Sequence, residues 1–165
     1  MSIVLDGTNA SSFSGGITKP SLPTGSVLQV VQGVYTTETT SASSTYTDTG
    51  LTATITPTSA TSKILVIAQL SGVGKYTGNT QMRTKVLKNG TDLFFMDIGA
   101  GYTASTAANN VGSINSNYLD SPASTSALTY KVQFCSSSNI GTVAINNTAG
   151  AEAPTSSITL MEIAA

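Results

Sequence analysis

The sequence predicts an all-β protein: an antiparallel β-sandwich of eight to ten strands, a jelly roll by preference, with an extended arm at the N-terminus. Three observations carry that expectation. Leu51, Ala53 and Ile55 alternate with Thr52, Thr54 and Thr56, and Leu128, Tyr130, Val132 and Phe134 alternate with Thr129, Lys131, Gln133 and Cys135. A period of two marks a strand with one wet face, where threonine suits the pleat. Asn89-Gly90 lies between Thr84-Lys85-Val86-Leu87-Lys88 and Thr91-Asp92-Leu93-Phe94-Phe95. Both turn residues tolerate the positive φ that a two-residue hairpin demands, so a tight hairpin turn is placed at Asn89 and Gly90. Finally, no stretch of ten or more residues carries apolar groups at helical spacing.

The elements follow in order. Residues 1–24 read as the arm: Gly15-Gly16, Pro20 and Pro23 are breakers, and the sizeable apolar groups before Leu22 are Ile3, Val4, Leu5, Phe13 and Ile17. These five are the candidate assembly groups. Fully extended, such an arm reaches ~80 Å at most. The sandwich domain spans 25–165. Val27 to Tyr35 is Val-rich. Ile64 to Ala68 is apolar at every position, which suits a central strand covered on both faces. Ile140 to Ile145 and Ile158 to Ile163 complete the strands. Loops are expected at 56–59, 99–110, 120–122 and 148–154, where Gly, Pro, Asn and Ser gather.

Composition narrows the function. Of 165 residues, 27 are Thr and 23 Ser, only 9% are charged and the net charge is -1. Seven Lys and Arg against eight acids leave no cationic field, so no nucleic-acid partner is expected. The longest strongly apolar run, Ile64–Ala68, is too short for a membrane span, and Met1–Asp6 lacks the basic region of a signal peptide. With no His and a single cysteine, Cys135, the chain has no imidazole base, no His ligand for zinc and no internal disulfide. Such sparse charge poses a difficulty for a β protein, because exposed strand edges are normally guarded by charge or Pro. Short neutral side chains suit close packing against other subunits, having little entropy and no charge to desolvate.

Candidate sites are weak. Gly72-Val73-Gly74-Lys75-Tyr76 fails the phosphate-loop pattern at Gln69 and Tyr76, and is expected to be a strand-end loop. Sequons at Asn9, Asn89 and Asn146 are no more than chance supplies in a chain so rich in Ser and Thr. The eight acids form no pair or cluster along the sequence, so each is expected to be surface charge. Cys135 is expected to be inert packing. Tyr76, Tyr102 and Tyr118, in or near loops, are glycan-stacking candidates. No catalytic, metal or cofactor-binding residue is assigned, and no cofactor or enzymatic activity is expected.

Taken together, Gly25-Ser26-Val27-Leu28-Gln29-Val30-Val31-Gln32, Thr47-Asp48-Thr49-Gly50-Leu51-Thr52-Ala53-Thr54-Ile55-Thr56-Pro57, Ser62-Lys63-Ile64-Leu65-Val66 and Ser157 to Ala165 resemble a group of small β-rich virion structural proteins of tailed phages, especially those of cyanobacteria and marine hosts. The opening Met1-Ser2-Ile3-Val4-Leu5-Asp6-Gly7-Thr8 is similar to the start of phage fibre and appendage proteins. The resemblance implies a virion component made in the host cytoplasm. In the favoured form it is a capsid decoration (cement) protein, a homotrimer bound to the major capsid protein on the shell's outer surface. The alternative is a tail-fibre, head-fibre or baseplate appendage subunit that binds host surface glycan.

Overall fold

The structure, a computed structural model, describes residues 22–138, 141–148 and 152–165. The arm groups Ile3, Val4, Leu5, Phe13 and Ile17 lie outside the described residues. The elements are β1 (Val27–Tyr35), β2 (Thr39–Ser41), β3 (Thr47–Ile55), β4 (Lys63–Lys75), β5 (Thr80–Lys88), β6 (Thr91–Ala100), β7 (Asn109–Asp120), β8 (Leu128–Ser138), β9 (Val143–Ile145) and β10 (Ser156–Ile163).

Eight long strands make two antiparallel layers. One layer runs β1-β10-β4-β7, and the short pair β9 and β2 joins the end of β4 on the side away from β7, past the end of β10. The other runs β3-β8-β5-β6. Numbered one to eight along the chain, the long strands pair first with last, second with seventh, third with sixth and fourth with fifth: β1·β10, β3·β8, β4·β7 and β5·β6. One long hairpin rolled over on itself gives this order, which is the jelly roll.

The alternating residues fill the space between the layers. Leu51, Ile55, Ile64, Val66, Leu70, Tyr130, Val132, Phe134, Ile158 and Leu160 are all at most 1% exposed. Each sits at an inward position, an even number of residues from the next on its strand. Asn89 and Gly90, with φ of 50° and 85°, close a two-residue turn between the paired Lys88 and Thr91.

The two long sides of the sandwich close differently. Phe94 of β6 stacks on Tyr118 of β7 at 5.2 Å between ring centroids. On the other side β1 presses directly onto β3: a Cβ on Gly33 would lie 2.0 Å from the Thr52 carbonyl oxygen, so only glycine allows this approach.

Three expectations change here. Residues 109–120 are a long strand, and the loop expected over 99–110 is confined to 101–108. β4 is central as expected, yet its second face is uncovered within the chain: Ile67 is 39% exposed and Leu65 only half-buried. Not every acid is surface charge. Glu162 is fully buried and Asp120 is 5% exposed, because each has enough hydrogen-bond donors to replace water.

Candidate functional site

The two outward faces of the sandwich have opposite character. Residues directly opposite one another in an antiparallel pair share a face, so the register assigns each side chain. On the β3-β8-β5-β6 layer the outward positions carry Asp48, Arg83, Lys85, Asp92 and Lys131. These interlock: Lys131 donates to Asp48 at 2.7 Å, Lys85 to Asp92 at 2.7 Å, and Gln133 also donates to Asp48. The hydrogen bonds from Lys131 and Gln133 hold the Asp48 carboxyl below its ordinary value. Lys85 also stands 4.2 Å over the Tyr46 ring. This is a solvated surface on which four of these five charges are paired.

The β1-β10-β4-β7 layer differs. Its outward rows are Val30–Met161–Leu65–Leu119, then Gln32–Thr159–Ile67–Asn117, then Val34–Ser157–Gln69–Asn115, with Val27–Ile163–Lys63 at one end. Lys63, at that end, is the one charged group in these rows. Val30 is 56% exposed and Leu119 is 48% exposed. Completing the burial of one such half-covered side chain returns about 1 kcal/mol. Association itself costs about 4–15 kcal/mol. A single row cannot hold a partner, so a stable contact has to cover all of these rows. Apart from Lys63 at its end, the face can do so without stranding an unpaired ion.

The remaining candidates divide into two groups. Tyr76 and Tyr102 stand at the β4–β5 end of the sandwich. Tyr76 donates to Glu38 at 2.7 Å and Tyr102 to Asn79 at 2.8 Å. Burial and the Glu38 carboxylate push the Tyr76 hydroxyl up to about 12. Tyr118 is apart from them, inside β7 and stacked on Phe94. The structure does not bring the three tyrosines together. Lys75 is buried and donates to the Thr103 carbonyl at 3.2 Å. Gly72, with φ of 58°, backs onto Pro154 and Asn147. The glycine-rich stretch is therefore the end of β4 and the loop after it. Asn146 is buried, donating to the Tyr35 and Thr37 carbonyls and accepting from Ser156. Its sequon marks a structural asparagine. Burial raises the Cys135 thiol above its ordinary value.

Sequence reasoning missed two buried polar clusters. Asp120 accepts from Lys88 at 2.8 Å and from Tyr130 at 2.7 Å. Glu162 accepts from Gln29 and from both the amide and the hydroxyl of Thr58. Both clusters join one strand to another segment of chain, and neither opens to a reactant. Beside the second lies a shallow cleft of about 330 Å³, lined by Leu22, Leu28, Thr58, Ser62 and Ala165. Among the described residues no three Asp, Glu or Cys gather as a metal site. Among the described residues no helix is long and apolar enough to cross a membrane.

No protein family and no curated protein matches this chain. Solved structures do. The chain is similar to one in a structure of the infectious bursal disease virus Gt strain, with 14% identity and a TM-score of 0.46 over 82% of its own length and 38% of that chain. It is also similar to the chain of an infectious bursal disease virus VP2 subviral particle, with 15% identity and a TM-score of 0.33 over 81% and 37% of the two chains. A third match is to T=1 particles derived from the same virus, at 17% identity and a TM-score of 0.33. The present chain thus spans less than two fifths of the length of these viral chains.

Proposed function

We propose that this protein is a virion structural component whose work is assembly, carried by the outward face of the β1-β10-β4-β7 layer. The observation that carries the reading is the contrast between the two outward faces. The β3-β8-β5-β6 layer carries Asp48, Arg83, Lys85, Asp92 and Lys131 beside the exposed Phe95, whereas the other layer presents rows of Val, Leu, Ile, Met, Ser, Thr, Gln and Asn with Lys63 as the one charge. A surface facing water has no reason to be so uneven. Depletion of charge at the centre of a patch is the compositional signal of an interface. The jelly roll fits this use, since viral capsid domains are among its recurrent hosts. The resemblance of residues 25–32, 47–57, 62–66 and 157–165 to phage virion proteins points the same way.

Within that class the favoured role is capsid decoration: the uncharged face lies on the major capsid protein, and residues 1–24 bridge to a neighbouring subunit. The fibre or appendage reading rests on Tyr76 and Tyr102 sharing one end of the sandwich, where a glycan could stack. Gold-labelled antibody against the protein, applied to intact particles, separates the two. Decoration of heads is the expected result. Label confined to tails or fibres overturns the decoration role, and particles without any label overturn the virion assignment.

A further inference from the structure

Among the long strands the two layers have four outer edges, and three of them are guarded. β3 carries Asp48 and a register shift just after it. β6 carries Asp92 and Asp97, and its pairing with β5 shifts register three times. β7 ends in Asp120 and has shifts on either side of Gly112. Charge and bulges are the usual means by which strand edges avoid pairing with other chains. β1 has neither charge nor Pro along its length, and its one shift falls at its start, between Val27 and Gln29. It pairs with β10 on one side and, among the described residues, with no strand on the other. Val30 and Val34 beside this edge are 56% and 61% exposed.

We infer that β1 pairs edge to edge with β1 of a second copy of this chain, antiparallel, about a two-fold axis through Gln32. The sequence of the edge argues for a copy of itself as the occupant. An axis at Gln32 sets Val30 opposite Val34 of the partner on the outward face, twice over by symmetry, and Gln32 opposite Gln32. On the inward face it sets Val31 opposite Gly33. Directly opposed β-branched pairs are the favourable unit of sheet pairing, and an isologous contact demands this kind of self-complementarity. Shifting the axis by one residue places Val30 against Gln32 and loses the valine pairs. The result is one continuous sheet with eight long strands in which the uncharged outward faces of both copies lie side by side. The pairing does not depend on any location in a virion, so it stands or falls separately from the function proposed above.

A cysteine at the axis tests the register. Opposed residues of an antiparallel pair have Cα atoms about 4.5–5.5 Å apart, within the ~4.4–6.8 Å that a disulfide spans. Cys135 is buried, so Gln32→Cys adds the accessible thiol. Mild oxidation of the full-length Gln32→Cys chain should convert most of it to a covalent dimer, while Thr54→Cys on the opposite layer should remain uncrosslinked. In sedimentation equilibrium the wild-type chain should approach twice its 16.7 kDa mass as concentration rises. Val30→Asp with Val34→Asp should abolish the dimer, and Val30→Lys with Val34→Asp should restore it, because position 30 then meets position 34 with opposite charge. A wild-type chain that stays monomeric, a Gln32→Cys chain that links no faster than Thr54→Cys, or a charge-swapped chain as monomeric as the double aspartate overturns the proposal. So does dimerisation that appears only when residues 1–21 are removed, which would make that segment the cover of the edge.

Discussion

Asp120→Ala should destabilise the fold by about 3 kcal/mol, the low end of the range for breaking a buried ion pair. Asp120 is the last residue of β7, in one layer; Lys88 ends β5 and Tyr130 sits in β8, both in the other. The carboxylate takes the Lys88 ammonium at 2.8 and 3.0 Å and the Tyr130 hydroxyl at 2.7 Å. Removing it strands a hydroxyl on a residue with 0% exposure, which costs about 1–3 kcal/mol on its own. The Lys88 side chain is 26% exposed, so it can recover some hydration, which sets the value at the low end. Burial, and then the neighbouring carboxylate, push the Tyr130 hydroxyl above its ordinary value. Tyr130→Phe leaves the Lys88–Asp120 pair in place and should cost less, about 1 kcal/mol. Equilibrium denaturation of the two variants measures both. An Asp120→Ala cost no larger than that of Tyr130→Phe would show that the cluster does not hold the layers together.

Glu162 should make the protein sensitive to acid in a defined window. Burial alone would raise its carboxyl, but hydrogen bonds from Thr58, Gln29 and Ser62 outweigh burial and hold it at about 2, against an ordinary 4.5. A depressed value in the folded state means that the stabilisation is complete above about pH 4.5. It is lost progressively as pH falls toward 2, where the folded protein also takes up the proton. The difference corresponds to about 3 kcal/mol. Stability measured against pH should therefore fall more steeply between 4.5 and 2 for the wild type than for Glu162→Gln, which is neutral throughout. At neutral pH, Glu162→Ala should cost about 3 kcal/mol, since the Thr58 amide and the Gln29 side chain lose their acceptor. Parallel pH curves for wild type and Glu162→Gln would remove this carboxylate from the account of acid stability.

Both clusters show where the sequence was legible and where it was not. β3 and β8 could be read because their inward positions carry runs of apolar residues that alternate with polar ones, as in Leu51, Ala53 and Ile55. β7 could not: its inward residues are Ile114, Ser116, Tyr118 and Asp120, and three of the four are polar-tipped. What makes Asp120 acceptable inside is a partner far along the chain, Lys88. Composition of one strand cannot reveal that partner. Glu162 did leave a signal, since Ile158, Leu160 and Glu162 fall on one period of two and place the carboxylate inward. Frequency argues that an acid is exposed; position argued the opposite, and position was right. The assembly face was legible only as a shortage of charge over the whole chain. Which layer bears the shortage is decided by register, because Leu65 and Leu119 become neighbours only when β4 pairs with β7.

The central claim is that the β1-β10-β4-β7 face does the assembling, and a comparison of the two faces tests it most directly. Leu65→Lys with Leu119→Lys puts two charges in the middle of the uncharged face, and Thr52→Lys with Thr54→Lys puts two on the charged one. All four positions are exposed or half-buried, so both variants should fold. Their binding to heads prepared without this protein should part company: the Thr52 and Thr54 variant should bind as the wild type does, and the Leu65 and Leu119 variant should lose at least tenfold in affinity. Equal binding by the two, or loss only in the Thr52 and Thr54 variant, would contradict the assignment of the face.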